Sequence, residues 1–266
     1  MAVAEHGFTA VDRQRSPRDW IGVLDRIRRE PFYAAYKLRV QQLLEPVAGG
    51  RYLEVGSGTG DDARALERRF GVSVVGVDSS ETMVAEARRR GLAEVAVADA
   101  HDLPFEYASF DGCWADRTLQ HLADPVRALA ELVRVTRAGG RVVTVDPDYT
   151  SQVVSIADDE LAGRVRRYRA EVAIRNGTLA HRMGGLFAAA GLSDVAVEAP
   201  TLVVRDSRAV DNVMGVRTWA AHACERGYLA ADDERAWEAQ LDEAVAQGTF
   251  LYAVTFFLTA GTLAGR

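Results

Sequence analysis

Three glycines and three carboxylates have the types and spacing to hold a ligand. Gly56, Gly58 and Gly60 lie in Tyr52-Leu53-Glu54-Val55-Gly56-Ser57-Gly58-Thr59-Gly60, an apolar run that turns into a helix beginning near Asp61. Residues without Cβ accept positive φ and let a ligand approach the backbone. Glu54 precedes this turn, and Asp78 and Asp99 end the next two apolar runs. A carboxylate about 20 residues past such glycines accepts both hydrogens of a ribose diol, which suits Asp78. One run further along, Asp99 is placed to accept from an adenine amine, and Glu54 to bind an amino group directly or through water.

A dinucleotide fingerprint requires Gly-x-Gly-x-x-Gly, with a pyrophosphate on the helix N-terminus. Here Gly-x-Gly-x-Gly is followed by Asp61 and Asp62. Two carboxylates there complement the helix dipole and repel a pyrophosphate. The expected ligand therefore lacks phosphate and preferably carries positive charge.

Such a turn needs a parallel sheet beneath it, and from residue 51 strand and helix patterns alternate as in βαβ units. The reading places strands at 51–55, 72–77, 94–98, 111–115 and 141–145, with helices at 61–70, 80–90 and 125–137 between them. Ahead of the sheet, Ser16-Pro17 and Pro31 start two helices able to pack over its ligand-binding end. Residues 1–16 read as polar, patternless and mobile. Beyond Asp146-Pro147-Asp148-Tyr149, helices are expected at about 158–175, 178–190, 208–226 and 232–247. A strand-like run at 192–204 is interrupted by Pro200, and a last buried strand spans 249–259.

The chain has 266 residues, 48% of them hydrophobic, and a formal charge of -6. That length sustains one large α/β core with an insertion. The acidic balance argues against nucleic-acid binding, which rests on clustered Lys and Arg. The densest basic runs, Arg88 to Arg90 and Arg164 to Arg169, read as solvated helix faces. Cys113 and Cys224 lack metal-ligand spacing, so no metal is expected. No apolar run approaches a membrane span of about 20 residues, and no leader is evident; a cytoplasmic protein is expected.

Leu53-Glu54-Val55-Gly56-Ser57-Gly58-Thr59-Gly60, Gly76-Val77-Asp78-Ser79-Ser80, Ala98 to Phe105, Phe110-Asp111-Gly112 and Arg137 to Arg141 occur in this order over residues 50 to 146. The series resembles the successive motifs of class I S-adenosylmethionine-dependent methyltransferases, in the branch of ubiquinone/menaquinone-type and natural-product small-molecule enzymes. The resemblance implies a Rossmann-like seven-stranded α/β sheet whose last strand is antiparallel. Around it would stand an N-terminal helical cover (1–48) and a helical insertion (206–247), the core being 49–205 and 248–266. It also implies S-adenosyl-L-methionine as cofactor. Glu54 and Gly56 would contact its methionine part, Asp78 its ribose, and Asp99 with Ala100 its adenine, with Ser57, Gly58 and Ser79 as further cofactor-binding residues. Arg117 would lie beside the sulfonium. Ala138 stands where a Pro is usual.

Methyl transfer is an in-line displacement, so alignment and water exclusion matter most. His121 is the candidate base where the acceptor must lose a proton. Tyr36 is expected to close over the cofactor, and its neighbour Arg39 to hold the cofactor carboxylate. Tyr33, Tyr36, Trp219, Tyr228, Trp237 and Phe250 suggest a ring-bearing or lipophilic acceptor, with Asp146 and Tyr149 as further candidates for its cavity. His101 reads as pocket wall or surface. The preferred acceptor atom is oxygen, then carbon, then nitrogen. A cofactor-binding cyclase without net methyl transfer, a nucleotide-binding oxidoreductase and a homodimer all stay open.

Overall fold

The computed structural model describes residues 8, 11–14, 16–208 and 214–265. Its sheet is built on β1 (Arg51–Val55), with β2 (Ser73–Asp78) and β3 (Glu94–Val97) on one side. On the other side lie β4 (Phe110–Asp116), β5 (Thr136–Val154), then β8 (Tyr252–Leu263) and β6 (Leu192–Glu198). The order is β3-β2-β1-β4-β5-β8-β6. Strands β1 to β5 pair in parallel, and β8 runs antiparallel to both β5 and β6.

The expected sixth strand is two. Ala199-Pro200 separates β6 from β7 (Thr201–Val204), and both pair with β8. Proline has no N–H to offer a ladder, but its carbonyl still accepts the Phe256 N–H at 2.9 Å. The sheet thus carries eight strands where seven were expected. β5 also runs well past the expected Val145, pairing with β8 through Val154.

Side chains alternate across the strands and divide the core. Tyr52, Trp114 and Val143 face one cluster with Tyr33, Tyr36 and Leu66, while Leu53, Cys113 and Val142 face another with Leu129, Met183 and Phe187. The first face carries α1 (Asp19–Arg29), α2 (Pro31–Leu43), α3 (Asp61–Phe70) and α4 (Glu81–Arg89). The second carries α5 (Pro125–Val135) and α7 (Met183–Ala189). α6 (Asp159–Tyr168) runs into a π turn, Arg169–Ala173, and α8 (Thr218–Glu225) and α9 (Ala231–Ala246) precede β8. The expected start of the 208–226 helix falls partly outside the described residues.

α1 begins two residues later than Ser16-Pro17 suggested, because those residues form a turn whose carbonyls accept from Asp19 and Trp20. Most of 1–16 lies outside the described residues. Its described part is anchored: Asp12 accepts from Ser80 Oγ and from the Glu81 and Thr82 N–H groups, adding an outside cap to α4. Among the described residues no helix is long and apolar enough to cross a membrane.

Candidate active site

The glycine turn sits at the carboxyl end of β1, where Gly56 and Ser57 donate to the Val77 carbonyl at 2.8 and 2.9 Å. Gly56 has φ +75°, and a Cβ there would fall 2.1 Å from Thr118 Oγ1. Only glycine fits that crossing. The turn borders a cavity of about 1020 Å³, roofed by α1, α2 and the segment around Phe8 and Val11. Glu54, Gly56, Ser57, Gly58 and Asp78 line it, and so do Ser79, Asp99, Ala100, Arg117 and His121.

Each carboxylate is held differently. Asp78 accepts from the Gly58 N–H at 2.8 Å and the Ser80 N–H at 2.9 Å. Burial nonetheless raises its pKa above the ordinary carboxylate value. Glu54 is 3% exposed. One of its oxygens accepts the Ala63 N–H, standing in for the side-chain cap that Gly60 does not supply to α3; the other accepts the Trp114 indole, both at 3.1 Å. Burial, and then the charge of Asp62, push Glu54 well above its usual pKa. Asp99 accepts the His101 N–H at 2.9 Å and faces His101 Nδ1 at 2.6 Å. Because His101 Nε2 accepts from the Asp124 N–H at 3.2 Å, the Nδ1–H tautomer satisfies both contacts.

The acids at the start of α3 are less exposed as charge than the sequence suggested. Asp61 pairs with Arg28 at 2.5 Å and Arg90 at 2.7 Å, and Asp62 pairs with Lys37. Repulsion of a pyrophosphate by these two residues is therefore weaker than expected, since cations already answer them. What remains is a cavity end with Glu54, Asp78 and Asp99 on three adjacent strands. Such a set of acceptors suits a ligand bearing an ammonium, a diol and a sulfonium.

Residues 53–144 match the family described as a methyltransferase domain. An uncharacterized 37.1 kDa protein in transposon TN4556 of Streptomyces fradiae is 36% identical over 246 residues, 90% of this chain and 70% of that protein. The demethylmenaquinone methyltransferase of Clavibacter sepedonicus is 38% identical over 112 residues, covering 41% of this chain and 45% of the relative. In fold, the chain matches phosphoethanolamine N-methyltransferase 2 of Haemonchus contortus, solved in complex with S-adenosyl-L-methionine. That match has a TM-score of 0.62 and 20% identity, over 97% of this chain and 60% of the other. The chain belongs to the class I S-adenosylmethionine-dependent methyltransferases.

Two expected cofactor contacts of this methyltransferase lie elsewhere. Arg39 is absent from the cavity lining: its guanidinium forks onto Glu198 on the outer face, because residue 39 is turned away from the sheet on α2. Tyr36 is 3% exposed and stands one layer behind the cavity, donating to both Asp116 oxygens at 3.0 and 3.1 Å. In their place α2 presents Tyr33 and Lys37, one helical turn apart. Lys37 lies between Asp62 and Asp116. Burial alone would raise the Asp116 pKa, but the charges of Lys37 and Arg117 outweigh it and the net shift is downward. Lys37 and Asp116 escaped the sequence reading, although Asp116 ends β4 as Asp78 ends β2.

His121, Tyr149, Arg169, Phe256, Met214 and Gly215 also line the methyltransferase cavity. His121 ends a 3₁₀ turn, Leu119–His121, with its Nε2 3.1 Å from Gln120 Nε2. Of the aromatics expected to shape an acceptor site, Tyr33 and Tyr149 line the cavity. Tyr36, Trp219, Trp237 and Phe250 are buried as packing, and Tyr228 is half-exposed against Tyr168. Asp146 is likewise buried behind the wall, accepting the Gln120 N–H at 3.3 Å. The basic run 164–169 is not wholly a solvated face, since Arg169 turns into the cavity. Arg117 has φ +52°, a strained value for a non-glycine residue, and its guanidinium lies 5.2 Å from the Tyr33 ring centroid. Among the described residues no group of three metal-ligating side chains occurs.

Proposed function

We propose that this methyltransferase acts on a ring-bearing or lipophilic small molecule, at oxygen ahead of carbon and then nitrogen, in secondary or quinone-type metabolism. The observation that carries the proposal is the cavity lining, which besides the carboxylates includes Phe8, Trp20, Tyr33, Tyr149 and Phe256. Aromatic walls with a few polar groups favour a flat, largely apolar guest. The volume of about 1020 Å³ accommodates a cofactor and such an acceptor together. Met214 and Gly215, from the 206–247 region, also line the cavity.

When bound, S-adenosylmethionine supplies an electrophilic methyl group. Glu54, Gly56, Ser57 and Gly58 are assigned to its methionine part, Asp78 with Ser79 to the ribose, Asp99 with Ala100 to the adenine, and Arg117 to the neighbourhood of the reacting centre. The chain's own task is alignment, with the Phe8 and Val11 segment and α1 excluding water from above. His121 accepts the proton of an acceptor hydroxyl.

The test is incubation with methyl-labelled cofactor and a panel of phenols and quinols, each with and without a ring carboxylate, together with lipophilic alcohols, read by mass. A labelled phenol or quinol is expected. Tight cofactor binding with no labelled acceptor across the panel overturns the proposal. Cofactor-dependent conversion without S-adenosylhomocysteine would replace it with a cyclase-type reaction.

A further inference from the structure

The cavity lining carries both signs of charge, unevenly answered. Glu54, Asp61, Asp62, Asp78 and Asp99 gather at the glycine-turn end, while Arg117 and Arg169 stand towards β5 and β8. Most cations here are answered locally: Arg28 by Asp61, Lys37 by Asp62 and Asp116, and Arg117 by Asp116 at 3.5 Å. Arg169 is not. Its guanidinium carbon lies 4.4 Å from the Trp219 ring centroid and 5.7 Å from that of Tyr149, and its Nε has no hydrogen-bond partner. The titratable groups acting on it are the tyrosines 149, 252 and 168, with no carboxylate among the described residues.

A guanidinium taken out of water without an anion is costly, and here burial lowers the Arg169 pKa. Local backbone geometry contributes to its placement. Arg169 opens the π turn that ends α6, with the Ile174 N–H bonded to its carbonyl at 3.1 Å. Such turns re-aim a side chain that a regular helix would place elsewhere, and they recur at functional sites. A second observation points the same way. Tyr33 lines the cavity, is 1% exposed, and its hydroxyl has no hydrogen-bond partner.

We infer that the acceptor binds as a monoanion, with a carboxylate on its ring-bearing body received by the Arg169 guanidinium. This rests on the acceptor reading of the cavity. A planar fork pairs bidentately with a carboxylate. The stacking of Arg169 between Trp219 and Tyr149 holds its fork in one plane. A dianionic phosphate suits the site less well, because the titratable groups acting on Arg169 are tyrosines and include no second cation.

The experiment compares 1-naphthoate with 1-naphthamide, titrated calorimetrically into the full chain with and without S-adenosylhomocysteine. The carboxylate is expected to bind about tenfold tighter than the amide, equivalent to about 1.4 kcal/mol. Arg169→Met should abolish that preference while leaving S-adenosylhomocysteine affinity unchanged, and Arg169→Lys should retain part of it. Equal binding of the two probes to the unmodified protein overturns the inference, as does a preference that survives in Arg169→Met. A carboxylate preference without S-adenosylhomocysteine binding would instead remove the proposed reaction and leave the anion site standing. A preference for naphthyl phosphate over naphthoate would also overturn the carboxylate assignment.

Discussion

Lys37 Nζ lies 2.9 Å from the Asp116 carboxylate, tying α2 to the carboxyl end of β4 across 79 residues of sequence. The same ammonium meets Asp62 at the start of α3. One cation therefore holds a helix of the roof to the two elements that frame the cofactor end.

Replacing Lys37 by Met leaves Asp62 without its cation and Asp116 with Arg117 alone. Removal of one partner of a buried ion pair is expected to destabilise the fold by about 3 kcal/mol. Urea unfolding checks this, and Asp116→Asn in the Lys37→Met background should restore part of the loss.

Asp146 provides a pH signature. Burial drives its pKa well above the ordinary carboxylate value; the Gln120 N–H opposes this and Asp116 adds to it. In the unfolded chain it titrates at about 3.9. Between that value and its folded pKa the native state binds the extra proton, so this residue's contribution to stability falls as pH rises. Asp146→Asn removes that slope. Relative to the parent protein, the variant should gain melting temperature as pH rises above about 4. A parallel pair of curves would contradict it.

Gly56→Ala combines left-handed strain of about 1–2 kcal/mol with a Cβ placed 2.1 Å from Thr118 Oγ1. The glycine turn must shift, and S-adenosylhomocysteine affinity measured by calorimetry should fall by at least about tenfold, or about 1.4 kcal/mol.

Asp99→Ala and His121→Ala should separate binding from turnover. The first should weaken cofactor affinity, and the second should spare it while slowing methylation of a phenolic acceptor at neutral pH by about 10²-fold or more. Unchanged turnover in the His121 variant removes it as the base.

Arg39→Ala is expected to leave both melting temperature and cofactor affinity as they were, because its pairing with Glu198 is at the surface. A loss of cofactor affinity would return Arg39 to the site.

The sequence by itself determined the strand and helix alternation, the glycine turn and the carboxylates at the ends of β1 to β3. These are local properties: period-two burial, tolerance of positive φ, and the point where an apolar run stops. It also marked Pro200 as a break, because a missing N–H is visible without any partner. Tertiary structure alone decided which way each helix of the roof is rotated. Hence Tyr36 turns to Asp116, 80 residues away, and Arg39 to Glu198, 159 residues away, while Tyr33 and Lys37 line the cavity. Arg169 reads in sequence as one more arginine on a basic helix, and only the π turn and the rings of Trp219 and Tyr149 make it part of a site. The physical reason is range. Periodicity reports the face of an element, whereas the charge a side chain meets depends on residues that folding brings from far along the chain.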